Sequence, residues 1–231
     1  MKKLTVLFAL LMTVSLSINA FAAAPVMVKD INPNGGANIN SIDTYGNYLI
    51  FNAGDGSNGA EKWISDGTSA GTRMIKDCNP SGDGANNWGA EFNGDYYFSG
   101  NNGSDGFELW KTDGTENGTY MIKDIYRGSD NSGPGLYGAI VYNNSLIFTA
   151  YKGRDSDQEL FRTDGTENGT YIVKELVNKF WYIGTIRIRG SLPSWPIAIG
   201  DYFYFYAHSD DYKCELFKSD GTESGTSLVK D

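Results

Sequence analysis

The stretch "ELWKTDGTENGTYMIKD" at 108–124 returns as "ELFRTDGTENGTYIVKE" at 159–175, "EKWISDGTSAGTRMIKD" at 61–77 and "ELFKSDGTESGTSLVKD" at 215–231. A sentence repeated four times constrains a chain more than its composition does. It requires four copies of one supersecondary unit, each burying its apolar face on a neighbour. The "DGT" aspartates stand at Asp66, Asp113, Asp164 and Asp220, at spacings of 47, 51 and 56 residues. The lysine that closes each unit recurs at Lys29, Lys76, Lys123, Lys174 and Lys230, so five closing triplets bracket four units.

Each unit divides into four strand-like segments punctuated by turn residues. In the second unit "WGAEF" leads through Asn93–Gly94, a strong two-residue hairpin signal, into "DYYFSG", then "FELWKT", then "YMIKDI". Phe51, Phe98, Phe148 and Phe205 fall in the second-strand slot, which is apolar almost without alternation and so calls for burial on both faces. The chain's 29 Gly and 15 Tyr fit strands and turns, and no sustained 3.6-residue apolar period announces a helix. Four antiparallel strands per unit, covered on both faces by neighbours, describe an all-β, β-propeller-like array of four blades. On the third strand, Trp63, Trp110, Phe161 and Phe217 should be buried equivalents. The "DGT" Asp and Thr side chains should bond their own turn, the Gly taking positive φ. Calcium ligation is the alternative for these carboxylates, which lie one per blade rather than clustered.

The "ELW-x-x-DGT" core, with "GT" three residues later and the closing "VKD", resembles the bacterial ELWxxDGT repeat family. That resemblance spans all four units and implies an exported, propeller-like repeat protein. It departs at Lys62, where Leu is expected, and at Phe161 and Phe217, which replace Trp. A small closed ring is the expected arrangement, because an open end leaves an apolar sheet face and a pairing edge uncovered. An open or partial array is the alternative, favoured by the surplus "PVMVKDI" at 25–31 and by Lys62. An ammonium buried there without a partner is costly, although its stem could carry it to the rim.

Residues 1–22 read as a secretory signal, with "MKK", an apolar run and "AFA" at Ala20–Ala22. The repeat domain then occupies 23–231, with units at about 32–77, 78–124, 125–175 and 176–231. The expected location is secreted, periplasmic or cell-surface, with no membrane insertion after cleavage. Removing Lys2 and Lys3 takes the formal charge from −9 to −11, which argues against nucleic acid as a partner. No cofactor or metal is implied. His208 is the only histidine, and no nucleophile or zinc motif surrounds it, so the reading is non-catalytic.

The least repetitive segment is the insertion 177–195, "VNKFWYIGTIRIRGSLPSW". Phe180, Trp181, Tyr182, Arg187, Arg189 and Trp195 make it the candidate ligand-binding site, since aromatics beside Arg suit sugar stacking or a protein hot spot. Packing of the same aromatics over a blade edge is the alternative. The expected function is a binding or scaffold module for extracellular glycan or protein. A structural matrix component that self-associates through blade edges and a carbohydrate-active enzyme stand as the alternatives. Cys78 and Cys214, in an exported chain, are candidates for a disulfide linking the first and last blades.

Overall fold

The computed structural model describes residues 25–153, 158–176, 180–183, 186–189, 191–209 and 213–230, with 180–183 and 186–189 given by backbone alone. The proposed signal segment lies outside the described residues. Four antiparallel four-stranded sheets follow one another along the chain, and no helix occurs among the described residues. The first comprises β1 (Asn40–Tyr45), β2 (Tyr48–Gly54), β3 (Ala60–Ser65) and β4 (Arg73–Met74). The second comprises β5 (Ala85–Phe92), β6 (Asp95–Asn101), β7 (Phe107–Thr112) and β8 (Tyr120–Lys123). The third comprises β9 (Ala139–Tyr142), β10 (Ser145–Tyr151), β11 (Gln158–Thr163) and β12 (Tyr171–Lys174). A separate hairpin, β13 (Phe180–Ile183) with β14 (Ile186–Arg189), precedes the fourth: β15 (Ser194–Ile199), β16 (Tyr202–His208), β17 (Cys214–Ser219) and β18 (Ser227–Leu228).

Strand order in every sheet is sequential, as hairpin-connected blades require. Asn93 and Gly94 take φ of 52° and 84°, both positive, which matches the twist of β5 and β6 as a two-residue turn must. The aromatic pairs Phe51–Trp63, Phe98–Trp110, Phe148–Phe161 and Phe205–Phe217 are register partners in successive blades. All four third-strand rings are buried, with 4–7% of their surface exposed. One face of each blade carries this pair; the other carries Ile50 and Ile64, Tyr97 and Leu109, or Ile147 and Leu160, and packs on the aromatic face of the next blade.

The repeated turn is a self-contained hydrogen-bond device. Asp113 Oδ1 accepts from Thr115 N at 2.8 Å and from Thr115 Oγ1 at 2.6 Å, and Thr115 Oγ1 accepts from Gly118 N at 3.0 Å. The same bonds recur at Asp66, Asp164 and Asp220. They hold all four carboxyls below the usual carboxylate range. The two glycines of the turn are required for different reasons. Gly114 sits at φ 84°, while a Cβ on Gly118 would come within 2.1 Å of the Asp113 carboxylate.

A cross-blade tie follows from the closing lysine. Lys76 Nζ donates to Thr119 O at 2.8 Å, Lys123 Nζ to Thr170 O at 2.5 Å, and Lys174 Nζ to Thr226 O at 2.8 Å. Each lysine thus caps the turn of the following blade. Lys29 does the same to the first blade, donating to Thr72 O at 2.6 Å. Segment 25–37 thus makes the closing-lysine contact on blade one while belonging to no sheet. Its Ile31 and Ala37 pack on Phe51 and Trp63.

The ring does not close. First strands adjoin in sequence, β1 on β5, β5 on β9 and β9 on β15, and the outer faces of the first and fourth blades stay apart. The four-blade closed ring expected from the sequence gives way to the open array. Segment 31–37 packs on part of the aromatic face of blade one, through Ile31 and Ala37, and blade four completes its sheet with its own β18. The expected Cys78–Cys214 bridge is likewise not made: both thiols are free, Cys78 buried between blades one and two and Cys214 exposed on blade four.

Lys62 does not reach the rim. It is 1% exposed, with Nζ 5.6 Å from the Tyr96 ring centroid, 5.7 Å from that of Phe98 and 3.3 Å from Asn86 O. Burial lowers its pKa to about 7, against the pull of Asp43. Burial also raises Glu61 to about 8 and Glu108 to about 7. The glutamates, with folded pKa values above the unfolded 4.5, contribute stability that is whole below pH 4.5 and is lost as pH rises through 7 to 8. Lys62 contributes stability present above 10.5 that is lost as pH falls through 7. Thermal melts should therefore give a lower Tm at pH 7.5 than at either pH 5 or pH 9.5. Lys62→Leu should raise Tm at pH 7.5 and flatten the alkaline limb. A Tm maximum near pH 7.5 would contradict the assignment.

Candidate functional site

The sequence-predicted site divides in two. Phe180, Trp181, Tyr182, Arg187 and Arg189 lie on the β13–β14 ribbon, whose register sets Phe180 opposite Arg189, Trp181 opposite Ile188 and Tyr182 opposite Arg187. Their side chains lie outside the described residues. Trp195 is on β15, and two-thirds of it (66%) is exposed, at a positive φ of 53°. The alternative of packed aromatics fails for Trp195.

The base of the insertion is anchored to the array. Ser191 Oγ donates to Glu159 Oε2 at 2.8 Å, Gln158 Nε2 to Pro193 O at 3.2 Å, and His208 N to Ser191 O at 2.7 Å. Trp195 N donates to Tyr137 O at 3.0 Å. That bond places the exposed indole beside a loop the sequence reading missed, "GPGLYG" at 133–138.

This loop is held rigidly. Gly135 N donates to Thr149 O at 2.7 Å, Gly138 N to Gly135 O at 3.0 Å, and Tyr137 N to Thr149 Oγ1 at 3.2 Å. Gly135 lies so close on the Trp88 indole that a Cβ would fall 1.9 Å from the ring, and Gly138 abuts Trp195 and Pro196. Leu136 and Tyr137 are pushed outward and stay exposed. Tyr137 Oη lies 3.3 Å from Tyr151 Oη, which fixes its ring. Asn86, Asn87 and Trp88 border a cleft with 133–136. Trp195, Tyr137 and Leu136 are thus exposed on segments joined by a backbone bond, and Asn86, Asn87 and Trp88 border the loop at 133–136. Three glycines within six residues were the available signal.

Such a surface can stack on a flat apolar partner and hydrogen-bond its rim. It offers no nucleophile with an adjacent base. Among the described residues no cluster of three or more His, Cys, Asp or Glu is placed to hold a metal. His208 is held at its backbone by Ser191, and burial lowers its pKa.

Fold and surface together define a β-propeller-like repeat array carrying an exposed aromatic patch at the junction of blades three and four. No family model and no curated protein matches the chain. Solved structures that match include puromycin hydrolase and a mutant of that enzyme in complex with PGG. Each is 10% identical over 87% of this chain and 33% of that one, with a TM-score of 0.45. The chain spans about one-third of the length of those structures.

Proposed function

We propose that this chain is an exported, non-catalytic binding or scaffold module of the ELWxxDGT repeat kind, acting on an extracellular glycan or protein. It would work in the secreted, periplasmic or cell-surface compartment, without a cofactor. The observation that carries the reading is Trp195, standing in water beside Tyr137 and Leu136 on a backbone pinned by glycines. A contiguous exposed aromatic patch is the usual mark of an interaction site. Stacking on a sugar ring or on an apolar protein residue would use that surface without repositioning the loop.

The test is retention of residues 23–231 on insoluble cellulose, chitin and peptidoglycan, and on immobilised extracellular proteins. The Trp195→Ala/Tyr137→Ala double variant should lose retention by tenfold or more, on the order of 1.4 kcal/mol or above. Its Tm should stay close to that of the parent, because both rings are exposed. Retention unchanged in the double variant would remove the patch as the site.

A further inference from the structure

The two ends of the open array leave opposite faces of the blade uncovered. Blade four presents outward the face that blades one to three turn toward a neighbour. Leu216 is 49% exposed there, whereas Leu109 and Leu160 at the same motif position are 0% and 2% exposed. Tyr206 and Val229 are exposed beside it. Blade one presents the opposite, aromatic-bearing face. Leu49 is 44% exposed at the position where Tyr96, Leu146 and Phe203 are buried. A groove of about 280 Å³ opens there, lined by Met27, Val28, Ile39, Ile42, Leu49 and Phe51 among others.

A third observation says what covers these faces. Aligned on the closing lysines, Val26–Lys29 matches Ser227–Lys230, the fourth-strand segment of blade four. Lys29 already makes the cross-blade bond to Thr72 O, yet Val26–Lys29 belongs to no sheet, and Val26 and Met27 are exposed. It is a fourth strand without its sheet. The occupant of the matching slot, β18, is held to β17 by only two register pairs, Phe217–Leu228 and Lys218–Ser227.

We propose that blade four of one copy takes Val26–Lys29 of a second copy as its fourth strand in place of Ser227–Lys230, and seats its open face on that copy's first blade. Exchange replaces like with like in the sheet, so little pairing is lost. It buries Leu216 and Tyr206 on one side and Leu49 and Met27 on the other, in the blade-to-blade contact the chain makes three times internally. Strand donation to a sheet edge is an established mode of association. The contact is head to tail, so it propagates unless rotation closes it. Two copies joined at both ends give eight blades, within the range of closed propellers. The assembly thus runs through faces and a donated strand rather than through blade edges alone.

Sedimentation equilibrium of residues 23–231 should show self-association at micromolar concentration. Leu216→Glu and Leu49→Glu each alter a side chain exposed in the single copy, so each should keep the parental Tm while association weakens at least about tenfold. Mixing the two variants should restore a heterodimer, since each retains the half the other lacks. In a Cys214→Ser background, Val26→Cys mixed with Lys218→Cys should form a disulfide-linked dimer under oxidation, whereas neither variant alone should. A chain that stays monomeric at all concentrations, association that survives both glutamates, or failure of the mixed cross-link would each overturn the proposal.

Discussion

Glu108→Ala should destabilise the protein by about 2–4 kcal/mol, the cost of an orphaned buried donor together with an emptied buried site. The side chain is wholly buried, and its carboxylate gathers the connector that carries the chain from blade two to blade three. Oε2 accepts from Ile125 N at 2.7 Å and from Ser132 Oγ at 2.6 Å, and Oε1 accepts from Ser132 N at 3.0 Å. Truncation leaves Ile125 N without its acceptor and removes one of two acceptors from Ser132 N and Ser132 Oγ, which keep Phe107 O at 3.1 and 3.2 Å. Each orphaned donor costs about 1–3 kcal/mol. Glu108→Gln should fall between parent and Ala, because one oxygen remains to accept while the new amide group faces a donor. Urea denaturation measures both. A loss under about 1 kcal/mol for Glu108→Ala would show that the connector finds other partners.

The same role recurs in the motif's first residue. Glu61 Oε2 accepts from Cys78 N at 3.2 Å, and Glu159 Oε2 accepts from Ser191 Oγ at 2.8 Å. Glutamate at this place bolts each blade to the segment leading into the next, and the closing lysine ties back across the same junction. Both signals stood in the repeat, since Glu61, Glu108, Glu159 and Glu215 recur as faithfully as the aromatics. They were missed because a charged residue in an alternating strand reads as solvent-facing. Only the three-dimensional course of the connector shows that Glu108 points into backbone amides.

Other features divide along a similar line. Strand number, hairpin turns and the buried third-strand rings were legible because each is written locally, in strand-like segments set off by turn residues, Asn-Gly and the repeated "ELW" core. Closure was not, because it depends on the summed angles between blades and on which segment fills blade one's aromatic face. Ile31 and Ala37 cover part of that face through packing that no motif announces. Lys62 was read as a costly charge at a Leu position whose stem could carry it to the rim, yet the rings of Tyr96 and Phe98 supply a cation–π cradle that no neighbour in sequence announces. At the candidate site, Trp195 was legible as an aromatic in an insertion. Its partners Tyr137 and Leu136 come from the preceding unit and meet it only through the Trp195–Tyr137 backbone bond.

Trp110→Ala should cost about 3–5 kcal/mol, the range for emptying a large aromatic from a packed core. Trp110 is 5% exposed and packs among Ile50, Ile64, Ile75, Tyr96 and Phe98, with its ring centroid 6.2 Å from that of Phe98. It therefore packs against side chains of two blades at once, and the cavity would open at their junction. Trp110→Phe should be milder, about 1–2 kcal/mol, because a ring still fills most of the slot and the cavity left is small. The chain itself supplies the precedent, because Phe161 and Phe217 fill the same slot in blades three and four. Trp110 Nε1, moreover, has no hydrogen-bond partner, so its loss orphans nothing. Trp63 provides the contrast: its Nε1 donates to Ala53 O at 3.0 Å, so Trp63→Phe should cost about 1 kcal/mol more than Trp110→Phe. Equilibrium unfolding of the three variants checks both the size and the order. Equal costs for the two Phe substitutions would mean that the indole of Trp63 gains nothing from its bond. A small cost for Trp110→Ala would mean that blades one and two do not share the core described for them.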